Sequence, residues 1–182
     1  ISDIAREAAR TKSRHLVLLS GVPGSGKTLV GLQLVHAHWI DDLSVPRANG
    51  KPSTPAVYLS GNGPLVQVLQ DALKDGGGGG KTFVQAINNY VEHHSRPGQP
   101  VPPEHLIVFD ESQRADDARG VARVHGGQAA KPEADLLIEF CERIPEWCVL
   151  VALIGNAQAI HVGEEGGVPL WRDAVHRSQK SA

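Results

Sequence analysis

Short unbroken apolar runs alternate along this chain with stretches in which apolar residues recur every three or four positions, a pattern that predicts strands followed by helices. Ile1 to Arg14 places Ile4, Ala5, Ala8 and Ala9 on one face with Arg6 and Arg10 a turn apart, a short amphipathic helix. His15 to Ser20 is an apolar run of strand length ending in a Gly/Pro-rich turn, and Thr28 to Trp39 then spaces Leu29, Leu32, Val35 and Ala37 as a helix. Asp41 to Pro55, with four prolines or turn signals at Pro46, Asn49-Gly50, Pro52 and Pro55, reads as a loop. Ala56 to Ser60 is the second strand. It runs through Gly61 to Pro64 into a helix from Leu65 to Lys74, with Leu65, Val68, Leu69 and Leu73 on one face. Thr82 to His94 is helical in spacing through Phe83, Ala86, Ile87, Tyr90 and Val91, and Arg96 to Pro103 is a proline-rich connector. Leu106 to Phe109 is a third strand that terminates in Asp110 and Glu111. After a polar, irregular stretch from Ser112 to Lys131, Pro132 suits the first turn of a helix that reaches Ile144 and buries Leu136, Leu137 and Phe140. Trp147 to Ile154 is wholly apolar, as expected of a strand covered on both faces. A glycine-rich loop (Gly155, Gly163, Gly166, Gly167) and a terminal helix near Pro169 to Arg177 complete the chain.

Strands alternating with helices, and strand exits that are polar or glycine-rich, predict an α/β fold: a doubly wound, mainly parallel sheet with flanking helices and its site at the carboxyl edge. The 182 residues suit a single domain over 1–182, and at this length an apolar core holds a fold without disulfide or metal staples. The five glycines of 76–80 are unlike their surroundings and read as a flexible linker, engineered in preference to natural. The two cysteines, Cys141 and Cys148, lack metal-ligand spacing and read as buried thiols. His36 and His38 point to different helix faces and His93 and His94 are adjacent, so these pairs do not suggest a metal site. A net charge of -2 provides no long-range field for a polyanion, and aromatics at 4% argue against an extended base-stacking platform. No stretch reaches the length of a membrane span and no signal peptide opens the chain, which places it in the cytoplasm. The start at Ile1 and the lack of methionine suggest a trimmed piece of something longer.

The chemistry concentrates at three strand exits. Gly21, Val22, Pro23, Gly24, Ser25, Gly26, Lys27 and Thr28 fit the pattern GxxxxGK[ST] between a predicted strand and helix, the context that makes it a phosphate-binding P-loop and not a mere glycine turn. Glycines let successive N–H groups face the phosphates of ATP, Lys27 reaches the β and γ phosphates, and Thr28 ligates Mg²⁺. Asp110 ends an apolar strand, where an acid needs a cation; it suits water-mediated Mg²⁺ binding, and Glu111 suits a base for the attacking water. Taken alone the two would read as a solvated acidic pair. Gln158, after the last strand, is placed to sense a γ-phosphate if that strand adjoins the P-loop strand.

The order of these blocks resembles a family. Residues 21–28, LSGNGPL (Leu59 to Leu65), FDESQRA (Phe109 to Ala115) and LIGNAQAIHVGEEGG (Leu153 to Gly167) together look like the first RecA-like domain of the Schlafen-group-3-like DNA/RNA helicase domain family, within superfamily 1 helicases. The resemblance spans nearly the whole chain. It implies motif I at Gly21 to Thr28, motif Ia at Ser60 to Leu65, motif II at Asp110 to Gln113 and motif III at Gly155 to Gln158. It also implies nucleic-acid contacts near Ser60, Asn62 and Gly63, and a second RecA-like domain, absent here or supplied in trans, that brings arginines to the nucleotide. Where the family commonly reads DEAQRAW this chain has Ser112 and Asp116, and where it reads GQEI it has Ala159.

These features favour a Mg²⁺-dependent ATPase that couples hydrolysis to single-stranded DNA or RNA. The competing readings are a nucleotide-dependent interaction switch that never translocates, for example in a defence system, and a P-loop kinase. Glu111 and Gln158 favour water over a kinase substrate as the nucleophile, while the charge balance suits the switch. Arg114, Arg119 and Arg123 suit either a phosphate-backbone track or a solvated loop.

Overall fold

The computed structural model describes residues 1–45, 55–75, 83–96, 98, 101–112, 131–155 and 167–179. Along the chain these form α1 (Ser2–Thr11), β1 (Arg14–Gly21), α2 (Lys27–Val35), a 3-10 helix (His38–Leu43), β2 (Ala56–Ser60), α3 (Gly63–Asp75), β3 (Val84–Ala86), α4 (Ile87–Ser95), β4 (Leu106–Asp110), α5 (Glu133–Arg143), β5 (Cys148–Gly155) and α6 (Val168–Gln179). The strands make one sheet in the order β1-β5-β4-β2-β3, and every pairing is parallel. This is the α/β arrangement of a RecA-like fold.

Successive side chains of a strand point to opposite faces, and here both faces are apolar. Val57, Leu59, Ile107, Phe109, Leu150 and Ala152 pack with Tyr90 of α4, Leu137 and Phe140 of α5 and Trp171 of α6. Their neighbours Ala56, Tyr58, Leu106, Val108, Val149 and Val151 pack with Ala5 and Ala8 of α1, Val35 of α2 and Val66 of α3. Double coverage explains why β4 and β5 read as continuous apolar runs. Cys141 and Cys148 are buried free thiols within the first of these cores.

Three expectations need correction. The helix expected to reach Trp39 stops at Val35: Ala37 turns extended, and the 3-10 helix that follows drops Ile40 into the core beside Ala5 and Ala8. The region read as one helix from Thr82 to His94 contains β3, which pairs with β2 from Tyr58↔Val84 to Ser60↔Ala86, before α4 begins at Ile87. The helix expected from Leu65 begins at Gly63, because Asn62 caps it: Asn62 Oδ1 accepts the Leu65 N–H at 3.2 Å. The glycine run 76–80 lies outside the described residues. No described helix is long and apolar enough to cross a membrane.

Candidate nucleotide site

All five strands run the same way, so β1, β2, β4 and β5 deliver their carboxyl ends to one edge. Register fixes what meets there: Gly21 lies opposite Gly155, and Ser60 opposite Asp110. The β5 exit therefore adjoins β1, the strand that leads into the glycine loop, the placement that the expectation for Gln158 requires. Gln158 itself, like Gln113, Arg114, Asp116, Arg119, Arg123, Ala159, Gly163 and Gly166, lies outside the described residues.

The loop from Gly21 to Gly26 turns through the left-handed region at Gly24 (φ 75°) and Gly26 (φ 87°), conformations that a side chain resists. Gly26 is the N-cap of α2, and no side chain caps that end. The helix's first-turn N–H groups and its dipole thus face the loop. Val22 to Gly26 are exposed. Lys27 Nζ donates to the carbonyls of Gly21 at 2.7 Å and Val22 at 3.0 Å, holding the ammonium across the mouth of the loop.

Thr28 faces inward. Its Oγ1 donates to Asp110 Oδ2 at 2.9 Å, joining two residues 82 positions apart. Asp110 is 1% exposed, and its other oxygen, Oδ1, accepts the Glu111 N–H at 3.0 Å. Tyr58 of β2 also donates its hydroxyl to Asp110 Oδ2. Burial first, and the hydrogen bond to Asp110 second, push the Tyr58 hydroxyl far above its ordinary value, so it remains a donor; the Thr28 hydroxyl acts in the opposite sense. Glu111 leaves the strand with φ 54°, a left-handed backbone that costs a non-glycine residue of order 1 kcal/mol. Glu111 lines a cleft.

That cleft, about 490 Å³, is lined by Thr28, Asp110 and Glu111 together with Asn62, Leu65, Asn88 and Glu133. Ser60 is buried, and its Oγ accepts the Asn62 N–H at 3.1 Å; Gly63 begins α3. The oxygens of Ser60 and Asn62 thus both help to shape the β2 exit. Ser112, the departure from the commoner alanine, donates its hydroxyl to the Leu153 carbonyl at 3.0 Å. The β4–β5 ladder ends at Phe109↔Ala152, so this side chain extends the tie between the two strands beyond their backbone pairing.

The geometry fits a nucleotide phosphate with its metal: a glycine loop with an uncapped helix start, a cation on that loop, and a hydroxyl 2.9 Å from a buried carboxylate. Reasoning from sequence missed Tyr58. The available signal was a tyrosine in an otherwise aliphatic strand, on the same face as Ser60, which is the face that meets Asp110.

The family model for Schlafen group 3, DNA/RNA helicase domain, matches residues 14–182. No curated protein matches the chain. The family match contains β1 through α6 and every site residue described above. The chain is a nucleotide-binding, helicase-like domain, and it belongs to the Schlafen group 3 DNA/RNA helicase domain family.

Proposed function

We propose that residues 1–182 form one RecA-like domain that binds ATP with Mg²⁺ and hydrolyses it, coupling nucleotide state to single-stranded DNA or RNA. The observation that carries this reading is the hydrogen bond from Thr28 to Asp110, which brings the end of the glycine loop to the acid at the end of β4. The backbone from Gly21 to Gly26 and the start of α2 cradle the phosphates. Lys27 moves its ammonium from the Gly21 and Val22 carbonyls to the β and γ phosphates. Thr28 and Asp110 hold the metal, which when bound neutralises charge on the phosphates. Glu111 takes a proton from the attacking water, and Gln158 orients that water. Family membership supports nucleotide and nucleic-acid interaction in general; ATP, magnesium and hydrolysis rest on the residues.

Calorimetry and turnover test the reading together. Lys27→Ala should abolish ATP binding, since it removes the one cation on the loop. Glu111→Gln should retain binding and lose turnover, because an amide fills the space without accepting a proton. A Lys27→Ala variant that binds like the parent sinks the assignment.

One observation favours the switch reading. Among the described residues that line the cleft there is no lysine or arginine to meet a phosphate backbone. An oligonucleotide that fails to bind at low salt, while nucleotide still binds, would select the switch.

A further inference from the structure

We propose that Tyr58 is a positioning residue for the metal half of the nucleotide site: its buried hydroxyl holds Asp110 and Thr28 in the arrangement that receives Mg²⁺. This rests on the reading of Thr28 and Asp110 given above and adds to it a residue outside the four sequence motifs' chemistry.

Three observations converge on Tyr58. It pairs in register with Val108, two residues before Asp110 on the neighbouring strand, so Tyr58, Val108 and Asp110 share the sheet face covered by α2. A long side chain at Tyr58 therefore reaches the acid diagonally. Its hydroxyl donates to the same oxygen, Asp110 Oδ2, that accepts the Thr28 hydroxyl. Its ring packs against α2 at Gly31, where an added Cβ would lie 3.0 Å from Tyr58 Cε2. Tyr58 thus touches the helix that carries Thr28, the strand that carries Asp110, and the contact between those two residues.

The chemical consequence follows from how carboxylates serve metals. A carboxylate that binds a metal through water must present one face at a set angle, and an outer partner fixes that angle. The Glu111 N–H holds Oδ1 and the Thr28 hydroxyl reaches Oδ2. A Thr28 hydroxyl that gave a lone pair to a metal would keep its proton for Oδ2, and Tyr58 is the second donor that would fix that oxygen from the neighbouring strand. Without the Tyr58 hydroxyl, Asp110 Oδ2 would lose one of the two donors that set its orientation.

Tyr58→Phe retains the ring beneath Gly31 and deletes only the hydroxyl. The experiment titrates Mg²⁺ into the full chain with a fluorescent ATP analogue, and compares binding with that in EDTA. The Mg²⁺ concentration for half-maximal enhancement should rise about tenfold or more, the order expected when the partner behind a metal ligand is lost, while binding in EDTA should be unchanged. In an Asp110→Asn background the same substitution should have no further effect on Mg²⁺ dependence, because the acid through which it acts is gone. An unchanged Mg²⁺ midpoint overturns the proposal, as does an equal weakening with and without metal, which is what a packing role alone would give; both leave the nucleotide assignment standing. A parent chain that binds no nucleotide overturns that assignment and this proposal with it.

Should Tyr58→Phe fail to fold, the parent decides the matter. The chain has two tyrosines, so 3-fluorotyrosine labelling gives two ¹⁹F resonances, assigned with Tyr90→Phe. Tyr90 donates to Glu104 at 2.9 Å in the core on the other sheet face and serves as the internal control. Addition of Mg²⁺ to the nucleotide-bound chain should move the Tyr58 resonance and leave that of Tyr90 in place. Identical spectra with and without Mg²⁺ overturn the proposal.

Discussion

A carboxylate at 1% exposure is tolerable at Asp110 because its oxygens are engaged by two hydroxyls and a backbone N–H. The opposite solution appears at the other end of the same strand, where His105 is buried by staying neutral. Its ring stacks on Trp147 with centroids 5.0 Å apart, and Nδ1–H donates to the Trp147 carbonyl at 2.6 Å. Burial lowers the His105 pKa below its ordinary value, outweighing the Trp147 hydrogen bond and the Glu146 charge, which both favour the protonated ring. The unfolded chain therefore takes up this proton at a higher pH than the folded chain does. Stability from His105 is complete above the ordinary histidine value and falls as pH drops below it, towards the lowered folded value. Thermal melts at pH 7.5 and 5.5 should show a steeper loss for the parent than for His105→Asn, whose amide can still donate to Trp147 and does not titrate. Equal losses would place the acid sensitivity elsewhere. At this scale the residues with a motif were legible in sequence: Lys27, Thr28 and Asp110 stand where GxxxxGK[ST] and a strand-end acid put them. Tyr58 was not legible, because its importance depends on which strand lies next to β2, and only the sheet order supplies that.

Between elements, α2 packs on the sheet through Gly31 and Val35, and the glycine is the tighter constraint. A Cβ added at Gly31 would lie 2.8 Å from Leu153 Cδ1, 3.0 Å from Tyr58 Cε2 and 3.1 Å from Val108 Cγ1, side chains of three different strands. Alanine would gain about 1 kcal/mol of helix propensity over glycine, whereas overpacking of a filled core costs about 1–3 kcal/mol. With all three neighbours buried or packed in the same core, the steric cost wins. Gly31→Ala should lower the melting temperature and, by lifting the helix that carries Thr28 off the sheet that carries Asp110, weaken Mg²⁺-nucleotide binding. Gln33→Ala on the exposed side of α2 is the control and should do neither. A stabilised Gly31→Ala variant would show that α2 can shift without cost. The elements missed from sequence were those whose pattern is too short to carry a period. β3 has three residues and is held from outside, by its ladder to β2 and by Gln70 Nε2 donating to the Val84 carbonyl at 2.7 Å. The 3-10 helix exists for the sake of Ile40. By contrast β2, β4 and β5 lie within a residue of where their apolar runs end, because burial on both faces leaves an unbroken signal.

At the scale of the molecule, one sheet edge gathers the glycine loop, the Asp110–Glu111 pair and the β2 exit, and the charges around it are unevenly shared. The loop offers Lys27 as its cation, while the cleft beyond Asp110 has acids and amides but no lysine or arginine among its described lining residues. In-line attack on a γ-phosphate builds negative charge that a lysine and one metal stabilise in part, and in NTPases an arginine supplied from elsewhere is worth about 10³–10⁵ in rate. A cleft with no lysine or arginine among its described lining residues gives a polyanion little to bind, and leaves the charge that builds on the γ-phosphate to be met by an arginine from elsewhere. The expected outcome is that residues 1–182 bind ATP yet turn it over slowly, and that adding a second RecA-like domain, joined or in trans, raises turnover by orders of magnitude. Arg114 follows the acids of β4 closely in sequence, and varying it alone should leave the slow rate near its starting value. The measurement is steady-state phosphate release with and without the second domain and single-stranded oligonucleotide, for the parent and for Arg114→Ala. Fast, oligonucleotide-independent turnover by residues 1–182 that disappears in Arg114→Ala would show that the arginine acts within this chain.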